Sequence, residues 1–117
     1  MDLYKDMKVY EKVYSLGISI YKFTKTLPRE ETFGLISQMQ RAAVSIPLNI
    51  AEGYGKDDSD AELTRYLRMA KGSTEEMKVL IDICKDLGYM TCEAHDRYHD
   101  EYTQVSKMLY ALIKHLL

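Results

Sequence analysis

Cys92, His95 and His99 follow one another at spacings of three and four residues, which puts them on one face of a helix. Thiolate and imidazole at that spacing can ligate zinc, but a structural zinc site takes four ligands. Asp96 and Asp100 fall on a different face, so the fourth ligand is missing and no metal or cofactor is expected. The preferred reading is a solvated helix start that carries two histidines. A second candidate is an anion or nucleotide pocket made by Arg41, Asn49 and Arg65, but no glycine-rich phosphate loop accompanies them. Catalysis has less to work with. No motif sets a histidine and a carboxylate around Ser45 or Ser73. The paired carboxylates, Glu30 with Glu31 and Glu75 with Glu76, are sequence neighbours that point in different directions on helices. An enzyme is not expected.

Cationic side chains supply the remaining chemistry. Lys5, Lys8, Lys12, Lys22 and Lys25 lie on the first helix and Arg29 just after it. Repeated around a ring of subunits they would make a basic band for RNA or DNA phosphates. Asp2, Asp6 and Glu11 offset them, and the net charge of −2 makes no global case for a polyanion partner. A solvated face is preferred, and nucleic-acid binding is the alternative.

The most distinctive stretch is QMQRAAVSIPLNIAEGYG, Gln38 to Gly55. It reads as helix, yet Gln38, Ala42, Ser45, Asn49 and Glu52 draw a polar line along it, with Arg41 beside the line and Pro47 within it. The third helix offers a companion line: Tyr66, Met69, Ser73, Glu76, Leu80 and Ile83. Antiparallel pairing with a reversal near Asp57 sets Arg41 by Ser73, Gln38 by Glu76, Ser45 by Met69 and Asn49 by Arg65. Glu76 is then within a turn of Arg41, and Glu52 can reach Arg65. Gln38, Arg41, Ser45, Pro47, Asn49, Glu52, Ser73 and Glu76 are read as a structural polar seam inside the bundle. It would fix register and serve the Ala43 carbonyl that Pro47 leaves without a donor.

Four helices must position these groups. The first spans about 6–26, with Val9, Val13, Leu16, Ile20, Phe23 and Leu27 as its seam, Tyr10, Tyr14, Gly17 and Tyr21 as an aromatic flank, and a wet face that includes Lys12, Ser15 and Ser19. The tyrosine flank suits a subunit interface. Leu27-Pro28 ends this helix, and the second starts near Pro28 or Arg29, where Glu30 and Glu31 favour the positive end of the dipole. Ile36, Met39, Ala43, Ile46 and Ile50 are its core line, Phe33 and Leu35 fill in, and Gly53 or Gly55 supplies a left-handed stop. Lys56, Asp57 and Asp58 form the next loop.

Asp58 or Ser59 caps the third helix, about 60–87, with Glu62 at capping-box distance from Ser59. Leu63, Leu67, Ala70, Thr74, Met77, Ile81 and Cys84 form its seam, and Arg68, Lys71, Glu75, Lys78, Asp82 and Lys85 its outer ladder. Gly88 stops it. Thr91 caps the fourth helix, whose seam is Tyr98, Tyr102, Val105, Leu109, Leu112 and Leu116. Connections of two to six residues make neighbours antiparallel. The chain is expected to be all-α, one up-down-up-down four-helix bundle over 1–117. Its two lone cysteines favour a reducing cytoplasm. Charge and apolar residues alternate at helical spacing in the N-terminus, unlike a secretory leader, and no apolar run is long enough to span a membrane.

The run from Leu27 through Gly55 and the run RYLRMAKGSTEEMKVLIDICKDLGY together resemble the 23S rRNA intervening-sequence family of four-helix bundle proteins. The shared pattern falls on Gln38, Arg41, Ala42, Ala43, Ser45, Pro47, Asn49, Ile50, Ala51, Glu52, Gly53, Ala70, Gly72, Ser73 and Glu76. The resemblance implies a small bacterial protein, no enzymatic activity and a ring-like homopentamer. That family also looks similar to the accessory protein of diversity-generating retroelements, a pentameric barrel that binds a reverse transcriptase and nucleic acid. Those accessory proteins are strongly basic, and this chain departs from them in being slightly acidic.

Overall fold

The computed structural model describes residues 3–56 and 59–117. Four α-helices carry the described residues: α1 (Lys8–Thr24), α2 (Ser37–Gly55), α3 (Asp60–Asp86) and α4 (Cys92–Leu116). A 3-10 turn, Leu3–Asp6, precedes α1. Contacts between helices run in opposite sequence directions. Gln40 and Ala43 of α2 meet Thr24 and Gly17 of α1, and Ser45 and Arg41 meet Ser73 and Glu76 of α3. Lys12 and Ser19 of α1 meet Glu101 and Tyr98 of α4. The bundle is therefore antiparallel, as the short connections predict. At 1.5 Å per residue α3 is about 40 Å long, which accounts for the 43 Å long dimension of the molecule.

One apolar core runs down the axis. Val13, Ile20, Met39, Ile46, Ile50, Leu67, Met77, Ile81, Tyr102, Val105 and Leu109 are all essentially sealed from solvent. Each lies on the seam assigned to its helix by the four-three alternation. Ile113, rather than Leu112, is the buried residue near the end of α4.

Local chemistry sets the α3 boundaries. The Ser59 hydroxyl accepts from the Glu62 N–H at 3.2 Å, an N-cap bond. At the other end Gly88 adopts φ 81°. Its N–H reaches the Lys85 carbonyl at 3.0 Å and the Tyr89 N–H reaches Cys84 at 2.8 Å, the double bond of a Schellman stop. The Thr91 hydroxyl accepts from Ala94 and starts α4. Asp57 and Asp58, assigned to the preceding loop and the alternative cap, lie outside the described residues, as does Asp2.

The start of α2 differs from the expectation. Pro28 leaves α1 in extended conformation, Arg29–Glu31 makes a 3-10 turn, and Thr32–Ile36 makes a π turn in which Gly34 has non-helical angles of φ −111° and ψ −108°. Regular helix begins only at Ser37. Side chains compete with the helical ladder here. The Thr32 hydroxyl donates to the Arg29 carbonyl at 2.6 Å, while a Glu31 carboxylate oxygen accepts from the Tyr89 hydroxyl at 3.1 Å. Phe33 does not fill the core; it is 96% exposed.

Gly53 has another task than the left-handed stop. It lies within α2, where an added Cβ would come 2.9 Å from Tyr66 Cβ and 3.0 Å from a Leu63 methyl. Only its missing side chain lets α2 and α3 approach this closely.

Candidate interaction surface

The polar line of α2 meets its companion on α3 about one helical turn further along α3 than expected. The Ser45 and Ser73 hydroxyls are 2.9 Å apart, and Arg41 Nη2 lies 3.6 Å from Glu76 Oε1. The residue numbers that face each other, Ser45 with Ser73 and Arg41 with Glu76, set the register of the two helices. Asn49 Nδ2 donates to the Ser45 carbonyl at 2.8 Å and to its hydroxyl at 3.0 Å. With Asn49 donating to it, the Ser45 hydroxyl can donate onward to Ser73. The Asn49 amide thus serves the Ser45 carbonyl. The Ala43 carbonyl freed by Pro47 instead faces Gly17 of α1.

Ala42 on the α2 line and Tyr66 and Leu80 on its companion are buried, but the polar members do not lie inside the bundle. Ser45, Asn49, Ser73 and Glu76 are half-buried at the α2–α3 edge, while Gln38, Arg41 and Glu52 are exposed. A four-helix bundle has room on its axis for one seam per helix, so a companion line falls at the rim. Arg65 does not reach Glu52. Its guanidinium binds both Glu62 carboxylate oxygens, at 2.9 and 3.1 Å, and stacks over the Tyr66 ring. That pairing holds the Glu62 carboxyl below its ordinary range. With Arg65 engaged there, Arg41, Asn49 and Arg65 are not brought together as an anion pocket.

The faces assigned to solvent on the first and third helices partly meet α4. Lys12 Nζ is 2.5 Å from Glu101, and Ser19 bonds Tyr98. On α3, Glu75 accepts from Ser106 at 3.1 Å and pairs with Lys78. A helix in a ring of four has a neighbour on each side of its seam, and on α1 and α3 the flank toward α4 finds partners there. The six cations are consequently divided. Lys5 and Lys8 stand near one end of α1, Lys22, Lys25 and Arg29 at the other, and Lys12 between them is held by Glu101.

His95 is buried, contrary to the solvated reading. Its Nε2 lies 2.6 Å from Asp82 Oδ1 on α3 and its Nδ1 lies 2.9 Å from Asp96 Oδ1. Both ring nitrogens therefore face carboxylates, and a ring that donates to both is an imidazolium. The bond to Asp82, then that to Asp96, raises its pKa. His99 stacks on it with ring centroids 5.6 Å apart, and Cys92 is exposed. Among the described residues, no three metal-ligating side chains converge. Burial pushes the Cys84 thiol up to about 11, and that thiol contacts the Met39 sulfur.

One surface groove is almost wholly apolar. Tyr10, Tyr14, Gly17, Ile18 and Tyr21 of α1 face Ala43, Val44, Pro47, Leu48 and Ala51 of α2 across a groove of about 370 Å³. Tyr14, Ile18 and Leu48 are each about half exposed. Gly17 gives the groove its depth, and Pro47 contributes no N–H to its wall. The tyrosine flank pointed here from the sequence, whereas Val44, Leu48 and the exposed Phe33 did not stand out. A signal was available in Ile18, Val44 and Leu48, large apolar residues off the seams. Among the described residues, no helix is long and apolar enough to cross a membrane.

No curated protein matches the chain. A solved structure of a protein of unknown function from the S23 ribosomal protein family of Bacteroides thetaiotaomicron superposes with a TM-score of 0.82 at 25% identity, covering 91% of this chain and 95% of that one. The model of the 23S rRNA-intervening sequence protein family matches residues 5–111. That span takes in α1, α2, α3, most of α4 and every position of the polar seam, and the chain belongs to the 23S rRNA-intervening sequence protein family.

Proposed function

We propose that the protein is a non-enzymatic scaffold that assembles with copies of itself, in a ring of five, through the α1–α2 face. The observation that carries this reading is the groove. It places three tyrosines, Ile18, Val44 and Leu48 on one ordered face. Exposed apolar surface gathered in one place marks an association site, and tyrosine favours such sites because it buries area and keeps a polar tip. The polar clusters support the same reading, since Ser45 with Ser73 and His95 with Asp82 are bonded to one another across helices. Two unpaired cysteines are consistent with a bacterial cytoplasm. Light scattering at micromolar concentration tests the proposal: a mass several times 13.6 kDa is expected, and a monomer overturns it.

A second reading, a nucleic-acid accessory, draws on the exposed Lys22, Lys25 and Arg29 at one end of the bundle. It requires affinity for structured RNA that falls steeply with salt and is lost on Lys22→Glu with Lys25→Glu. No binding at low salt removes it.

A further inference from the structure

Phe33 is 96% exposed, yet it does not sit on a frayed end. The turn that carries it is anchored on both sides. Thr32 bonds back to Arg29, Glu31 binds the Tyr89 hydroxyl beyond α3, and Leu35 and Ile36 pack against the core. Gly34 departs from helical angles immediately after Phe33. A regular helix through 32–36 would have continued the i, i+3 pattern that ends in Ile36 and Met39. The irregular turn instead holds a benzyl ring out in water.

The ring cannot enter its own groove. Val44 lies eleven residues further along the chain, about 16 Å if all of it were helical, and the groove extends beyond Val44 to Leu48 and Ala51. Gly17 and Pro47 at the floor of the groove leave a recess that a side chain from another copy can enter. A single aromatic knob fits it. The tyrosines that line the groove present ring faces and edges for edge-to-face contact. Both rims carry mixed charge: the groove opens past Tyr10 and Tyr14 toward Lys5 and Glu11, and Arg29 and Glu30 lie exposed just before Phe33, so the apolar ring is what the groove would select.

We propose that Phe33 of one copy seats in the α1–α2 groove of a second copy, so the subunit contact joins two different surfaces. This rests on the self-association reading above and specifies its geometry. A contact between unlike surfaces repeats head to tail, and it closes into a ring when the rotation allows.

The test uses two full-length variants, Phe33→Ala and Leu48→Glu. Both side chains are exposed, so unchanged helical circular dichroism is expected for each. Each variant alone should fall to the monomer mass of 13.6 kDa by light scattering. An equimolar mixture should form a one-to-one dimer and go no further, because the Leu48→Glu chain still brings Phe33 and the Phe33→Ala chain still offers the groove. Assembly of Phe33→Ala at the wild-type mass overturns the knob, and so does a mixture that stays monomeric. Either result leaves the scaffold reading standing, whereas a monomeric wild-type protein overturns both.

Discussion

The flank of α2 that meets α3 and the flank that meets α1 belong to one helix and are finished differently. Toward α3, Ser45, which accepts from Asn49, finds Ser73, Arg41 finds Glu76, and Gly53 admits Tyr66 and Leu63 at a separation that leaves no room for a methyl. Toward α1, Gly17 and Pro47 keep the helices close at Ala43, but Tyr14, Val44 and Leu48 splay into an open groove. The difference teaches that one motif serves two ends. Its polar members match helices within the chain, and its proline and alanines shape the wall of an open apolar groove.

Gly53→Val should have the largest effect. Crowding Tyr66 and Leu63 should cost about 2–3 kcal/mol, read as a lower urea midpoint, while Gly55→Ala, with open space around it, should stabilise slightly. An equal response at both glycines would show that the α2–α3 flank is not close-packed.

The α3–α4 contact gives a closed flank of another kind. The pKa of His95 is raised from 6.5, so its bonds to Asp82 and Asp96 stabilise the fold fully below pH 6.5, and that contribution is lost as pH rises through the folded value. His95→Gln should cost about 1–2 kcal/mol at pH 6 and flatten the fall in stability above it. Denaturation at a series of pH values checks this, and identical profiles for the two proteins would show that the ring is not an imidazolium bridge.

Smaller effects separate the flanks further. Ser45→Ala removes the hydroxyl between Asn49 and Ser73 and should cost about 1 kcal/mol. Gly17→Ala should do the reverse. Its Cβ would meet the Ala43 carbonyl oxygen at an ordinary 3.5 Å, so helix propensity should raise stability by about 0.5–1 kcal/mol while the groove becomes shallower. Thermal melts of both decide whether the open flank is the more tolerant. Least of all, Arg41→Ala should cost under about 0.5 kcal/mol, because its side chain is 72% exposed. A sequence reading that buried the pair would expect more, and a double-mutant cycle with Glu76→Ala distinguishes the two.

What could be read in advance follows the range of the forces involved. Ser59, Gly88 and Thr91 act on backbone groups a few residues away, so the boundaries around α3 and α4 were legible. Pro28, Glu30 and Glu31 gave a correct signal for a helical start, but Gly34 and the bond from Glu31 to Tyr89, 58 residues away, turned that start into a 3-10 and a π turn. The pairing of Arg41 with Glu76 was legible from complementary lines, and its exposure was not.

By itself the sequence determined four amphipathic helices, their order, their seams and the family. Periodicity is a property of one segment and needs no partner to be seen. Tertiary structure alone decided which flanking line is covered: Lys12, Ser19 and His95 found partners on neighbouring helices, while Phe33, Val44 and Leu48 stayed in solvent. Covering depends on the separation and register of two helices: the missing side chain at Gly53 lets α2 and α3 close up, and the pairing of Ser45 with Ser73 marks their register.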